Sequence, residues 1–187
     1  MNIRSRIFIV VSSVFLVASQ ACAEGDGLRR VTVLDVPAPS VQQVDEALFP
    51  SDISAHKKEC AQMEKAGFRC QSVIPKSSLD SVQVTFARGS ATLSEEAKVF
   101  LKSVGESLQR HPDEWTSLLI EGHADVTGNE SKNKILSKQR AESVKTYLGA
   151  NFGISNIETV GRGSEKLRDT ENPAAEINRR IEFTPSW

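Results

Sequence analysis

Residues 118–150 read LLIEGHADVTGNESKNKILSKQRAESVKTYLGA, and this stretch decides the fold. Leu118, Leu119 and Ile120 are a short apolar run closed by Gly122, the signature of a mostly buried strand. A polar loop, His123–Glu130, follows. Residues 131–150 then carry a helical pattern, with its stop at Asn151-Phe152-Gly153. At about 100° per residue, Leu136, Val144, Tyr147 and Leu148 share one stripe. Arg140 lies in the middle of that stripe, bordered by Asn133 and Ser137.

A cation on the face meant for the sheet needs a partner, because burying an unpaired charge is costly. Arginine is also the residue suited to gripping a carboxylate through two parallel hydrogen bonds. Asp125 lies in the loop between strand and helix, and folding the helix back over the strand brings it toward the same cleft as Arg140. Two readings follow: an internal Asp125–Arg140 salt bridge that fixes the loop, or two charges that face a ligand.

Working outward, Val82, Val84 and Phe86 alternate with Gln83 and Thr85, which predicts a half-buried strand. Thr92 and Glu95 have capping-box spacing, and Ala97, Phe100, Leu101, Val104 and Leu108 recur at helical intervals. On the other side, Ile157–Val160 predicts a strand ended by Gly161 and Gly163. Arg180-Ile181-Glu182-Phe183 predicts a last one. The order is strand, helix, strand, helix, strand, loop or short helix, strand. That is an α/β (α+β) two-layer sandwich with helices on one face of a mixed sheet.

The N-terminal third reads differently. Arg4 and Arg6 precede an apolar run, Ile7–Ala18, and Ala21-Cys22-Ala23 has small-x-small form, so residues 1–23 read as a signal peptide that leaves Glu24 as the mature N-terminus. Two alternatives stay open: lipid attachment at Cys22, against which Ser19 and Gln20 count, and an uncleaved anchor, for which the run is short of the roughly 20 residues that span a bilayer. Residues 24–80 are punctuated by Pro37, Pro39 and Pro50, and Ser51 or Asp52 can cap a helix that ends near Gly67. We read them as an N-terminal extension, an adaptor or lid. Cys60 and Cys70 form an even pair, expected as a disulfide in an oxidising compartment. A metal site is the weaker alternative, since His56 alone lies near and a structural zinc wants four ligands.

The chain carries 23 Lys and Arg against 24 Asp and Glu, which argues against a general nucleic-acid binder. Residues 24–80 are too few to build eight membrane strands of about 9–11 residues, so no transmembrane barrel is expected.

Gly122-His123-Ala124-Asp125-Val126-Thr127-Gly128, followed by Asn133 through Ala141, resembles the signature of the OmpA-like C-terminal domain family: G-H-x-D-x-x-G, then N-x-x-L-S-x-x-R-A on the next helix. Phe86 with Ser90-Ala91-Thr92-Leu93, Gly161-Arg162-Gly163 and Asn178-Arg179-Arg180-Ile181-Glu182 resemble its flanks. The resemblance runs from about Val82 to Thr184 and implies an OmpA-like domain over residues 81–187. It implies non-covalent binding of peptidoglycan through meso-diaminopimelate in the stem peptide, in the periplasm of a Gram-negative envelope. It assigns Arg140 to the ligand's carboxylate and Asp125 to its ammonium. Asn133 and Leu136 then form the pocket wall, and Phe86, Ala124 and Arg179 complete the ligand-binding set. Ala124 stands where Thr is common, and Leu167 where many members have Pro; neither removes a principal charge.

No cofactor or catalytic residue is expected. His123 lacks a nucleophile and an orienting partner, and Gly161-Arg162-Gly163 lacks the further glycines and lysine of a phosphate loop. His56 and His111 read as exposed helix residues. The rival classes are a protein–protein scaffold that keeps the fold without wall binding and, last, a wall-modifying enzyme. A partner for residues 24–80 is expected within the envelope.

Overall fold

A computed structural model describes residues 29–70, 76–87 and 89–187. The expected signal peptide, Cys22 and Glu24 lie outside the described residues. Five strands, β1 (Arg29–Val33), β2 (Lys76–Ser81), β3 (Ser117–His123), β4 (Ile157–Gly163) and β5 (Ile181–Ser186), form one sheet in the order β1-β2-β5-β3-β4. β1 pairs parallel to β2, β5 runs antiparallel to both β2 and β3, and β4 pairs parallel to β3. The helices are α1 (Val41–Leu48), α2 (Ser51–Lys65), α3 (Glu95–Arg110) and α4 (Glu130–Phe152). The expected mixed sheet with helices packed on it is what forms.

Alternation along the strands sorts the two faces. Leu79, Leu118, Ile120, Ile181 and Phe183 join one apolar cluster with α1, α3 and α4. All five apolar positions expected on α3 are buried in it. α4 lies directly on β3 and β4, because glycines leave room for it: a Cβ on Gly122 would overlap the Ser137 carbonyl oxygen, and one on Gly161 would come within 2.5 Å of the Lys134 carbonyl. The alternate residues Asp80, Glu121, His123 and Glu182 are also buried, and they carry charge or polarity instead.

Local signals explain the helix ends. Ser40 and Gln43 form a capping box at α1. α4 starts on the Asn129 side chain and stops at Gly153, whose φ of 69° is the left-handed conformation glycine adopts freely. α2 begins after Pro50 with no side-chain cap. α3 is capped by Ser94, which accepts from the Ala97 amide at 3.1 Å, not by Thr92. Thr92 instead donates its own amide to Ser90 Oγ at 2.9 Å.

Two further differences matter. The strand expected over Val82–Phe86 is β2, lying earlier at Lys76–Ser81. Leu79 is its one apolar residue; Ser77 donates to the Leu48 carbonyl and Asp80 accepts from Arg180. Residues 82–86 run on as irregular chain, tied by a bridge between Phe86 and Leu93. The division drawn between residues 80 and 81 therefore falls inside a strand. Residues 29–80 supply β1, α1 and nearly all of β2, so they are built into the sheet and its core.

Candidate functional site

The loop after β3, the middle of α4, the irregular segment after β2 and a 3-10 turn at Glu176–Asn178 converge on one cleft of about 440 Å³. Val84, Phe86, Asp125, Thr127, Arg140, Glu176 and Arg179 line it.

The loop after β3 holds Asp125 nearly buried. Its Oδ1 accepts from the Thr127 amide at 2.8 Å and from the Thr127 hydroxyl, the turn an aspartate makes with the residue two places on. Its Oδ2 accepts from Arg179 at 2.8 Å. Burial works to raise this carboxyl's pKa, but the Thr127 and Arg179 hydrogen bonds outweigh it and hold the group below the usual carboxylate range. Asn133, on the first turn of α4, donates to the Thr127 carbonyl at 2.8 Å and to the Asp125 carbonyl at 3.3 Å.

Arg140 approaches from α4, half-buried. Its guanidinium stands 5.0 Å from the centre of the Phe86 ring, and its Nε donates to the Ser90 carbonyl at 3.1 Å. Burial and the nearby Arg179 charge lower its pKa, while Asp125 acts the other way. It makes no salt bridge with a carboxylate among the described residues. The direct Asp125–Arg140 bridge, one of the two readings open from the sequence, is not what forms; Asp125 is paired with Arg179.

Of the residues expected from the sequence, Phe86, Asp125, Arg140 and Arg179 come together in the cleft. Asn133 stands behind it and fixes the loop. Leu136 is half-buried on α4 and is not part of the lining. Ala124 is also outside the lining, its amide bonded to the Gly163 carbonyl at 2.8 Å. Thr127, Val84 and Glu176 were missed. Thr127 had a signal, since a hydroxyl two residues after an aspartate often closes such a turn; Glu176 had none.

His123 is buried among the charged groups of the sheet. Burial first, then the Arg180 charge, push its pKa down to about 3, so it is a neutral imidazole at neutral pH. Glu182 lies 3.6 Å away, but Arg29 and Arg180 already balance its charge. On α2 and just beyond it, His56, Cys60 and Cys70 place three possible metal ligands within 4.8 Å of one another. Cys60 and Cys70 are joined as the expected disulfide, which ties both sulfurs to each other.

Residues 85–180 match the OmpA family. The peptidoglycan-associated lipoprotein of Buchnera aphidicola is 40% identical over 68 residues, 35% of this chain and 38% of the relative. The peptidoglycan-binding protein ArfA of Mycobacterium tuberculosis is 35% identical over 104 residues, 54% of this chain and 31% of ArfA. The chain thus spans well under half the length of these relatives. Among solved structures, the cell wall anchor of the T6SS from Pseudomonas aeruginosa superposes with a TM-score of 0.50 at 24% identity, covering 69% of this chain and 94% of that one.

Proposed function

This chain belongs to the OmpA family, and from that premise we propose that it binds peptidoglycan non-covalently and tethers an envelope protein or complex to the cell wall. The ligand is the free amino-acid end of meso-diaminopimelate in the stem peptide. Arg140 takes its carboxylate in a bidentate pair and Asp125 takes its ammonium. Phe86 backs the guanidinium, while Asn133 and Thr127 hold the Asp125 loop in place. Leu136 and Ala124 act behind the lining. No cofactor and no bond-making step is involved. The protein works in the periplasm, and residues 24–80 meet its envelope partner.

One observation carries this reading: a half-buried guanidinium faces the cleft with no carboxylate paired to it among the described residues, beside an aspartate kept ionised. A zwitterionic head needs one cation and one anion held apart, and Arg140 beside Asp125 supports that reading. The names of two relatives, a peptidoglycan-associated lipoprotein and a peptidoglycan-binding protein, support peptidoglycan as the polymer bound. Among the described residues no helix is long and apolar enough to cross a membrane.

Each charge-assisted hydrogen bond contributes about 1.5–3 kcal/mol, so losing either charge lowers affinity roughly tenfold to a hundredfold. Cosedimentation with purified sacculi tests this. The parent pellets with the wall, and Asp125→Ala and Arg140→Ala stay largely in solution. If both variants pellet as the parent does, the cleft is not the wall site and the scaffold class takes its place.

A further inference from the structure

We propose that Arg179 and Glu176 set the cleft's affinity by a hand-off: Arg179 occupies the ammonium position on Asp125 while the site is empty, and Glu176 receives it when a ligand arrives. This rests on the binding reading above and adds a control to the same site.

The aspartate's own bonding sets the two donors in competition. Oδ1 is held by both the amide and the hydroxyl of Thr127, which leaves Oδ2 as the oxygen for an incoming ammonium. Arg179 already donates to Oδ2 at 2.8 Å. Its other terminal nitrogen lies 3.4 Å from Glu176 Oε1. A guanidinium that presents separate nitrogens to two carboxylates can leave one for the other by side-chain rotation alone.

The direction of the swing follows from charge and exposure. Arg140 lies close enough for the two guanidinium charges to repel, so Arg179 does not move toward it. Glu176 is on the open side, with a side chain 79% exposed, against 43% for Arg179 and 7% for Asp125. The backbone beneath stays fixed. Arg179 donates its amide to the Glu176 carbonyl at 2.8 Å. The fully buried Asn178 side chain bonds to the carbonyls of Asp169, Asn172 and Pro173 and accepts from the Arg168 and Asp169 amides. Only the two exposed side chains are free to rearrange.

The alternative role for Arg179 is a second contact to the ligand's carboxylate, and it has the opposite consequence. Calorimetric titration with a soluble muropeptide bearing a meso-diaminopimelate tetrapeptide separates the two. Arg179→Ala tightens binding by roughly two- to fivefold, the range of a part-exposed ion pair. Glu176→Gln weakens it by a similar factor. The double variant behaves like Arg179→Ala, because Glu176 acts only through Arg179. Weaker binding by Arg179→Ala, or an equal effect of Glu176→Gln with and without Arg179, overturns the hand-off. If Asp125→Ala and Arg140→Ala both bind the muropeptide as the parent does, the binding reading falls, and the hand-off falls with it.

Discussion

Arg180 reaches back a hundred residues to Asp80, its Nε donating to Oδ2 at 3.1 Å with both side chains buried. The pair sits on the face of the sheet turned away from α4. Arg168 donates to the same oxygen at 3.2 Å, and Glu182 lies 3.7 Å from Arg180. Arg29 of β1 bridges Glu182 and Glu121, and Arg162 of β4 holds Glu121 from the other side. The network joins every strand. It stitches β1 and β2 to the part of the chain that carries the cleft.

A buried charge left without its partner destabilises by about 3–5 kcal/mol, whereas an exposed pair contributes about 0–1 kcal/mol. Arg180→Met removes the buried partner of Asp80 and leaves it Arg168 alone, and is expected to lower stability in urea denaturation by more than an exposed pair contributes and by up to the larger amount. Arg30→Ala, which breaks the exposed Arg30–Asp52 pair, is expected to change it by less than about 1 kcal/mol. Equal losses from the two variants would show that the network contributes nothing beyond surface charge.

His123 gives the network a pH dependence. In the unfolded chain it takes a proton near its ordinary value of 6.5; in the fold it resists until about 3. Between those values the unfolded state binds more protons. Stability is therefore full above about pH 6.5 and falls as the pH drops toward 3, by at most about 1.4 kcal/mol per unit. Asp125, held below the usual range, loses stability in the same direction but only under about pH 4. Asp80, pushed up by burial against the pull of Arg180 and Arg168, acts with the opposite sign. The native imidazole resonances of His123 are expected to stay flat from pH 8 to about 5. A native titration near 6.5 would sink this account.

The close seat of α4 on the sheet depends on glycine. Gly122→Ala places a methyl against the Ser137 backbone and must lift α4, for a loss of about 1–3 kcal/mol or more. Gly149→Ala is the contrast. It sits inside α4, and its nearest neighbour outside the helix, the Ile154 carbonyl, lies at an ordinary 3.4 Å. Removing a helical glycine there is expected to raise stability by up to about 1 kcal/mol. Thermal unfolding of both variants reads the two signs directly.

Phe86 offers Arg140 an aromatic face as well as packing against the core. Phe86→Leu keeps apolar bulk and removes the ring. Sacculus affinity is expected to fall roughly two- to fivefold, as loss of an exposed cation–π contact implies, with the melting temperature little changed. Unchanged affinity would confine Phe86 to packing.

What could be read from the sequence followed from how each element is stabilised. α3 and α4 are held by apolar side chains at helical spacing, and that spacing is visible in one dimension. β2 is held by hydrogen bonds and ion pairs to residues far along the chain. Lys76-Ser77-Ser78-Leu79-Asp80-Ser81 shows no alternation, and the nearby Val82-Val84-Phe86 pattern, which serves the cleft wall, drew the strand assignment instead. In the site, Arg140 stood out because it interrupts an apolar stripe. Its lack of a carboxylate partner among the described residues was not legible, since that depends on Arg179 reaching Asp125 from 54 residues away.

The same stitching decides what residues 29–80 are for. Leu79 pairs with Phe183 across the sheet and is fully buried. Val44, Ala47 and Leu48 of α1 fill the core beside α3. A chain of residues 81–187 alone would expose Ile181 and Phe183, and would leave Arg180 and Glu182 without Asp80 and Arg29. Each buried Leu or Val side chain contributes about 1.5–3 kcal/mol, and each kcal/mol is worth about 2–4 °C in a domain of this size. Residues 81–187 expressed alone are thus expected to melt at least about 10 °C below residues 24–187, or to show no cooperative transition. If the short form melts within a few degrees of the long one, the N-terminal strands are dispensable, and the charge network across the sheet follows the fold without supporting it.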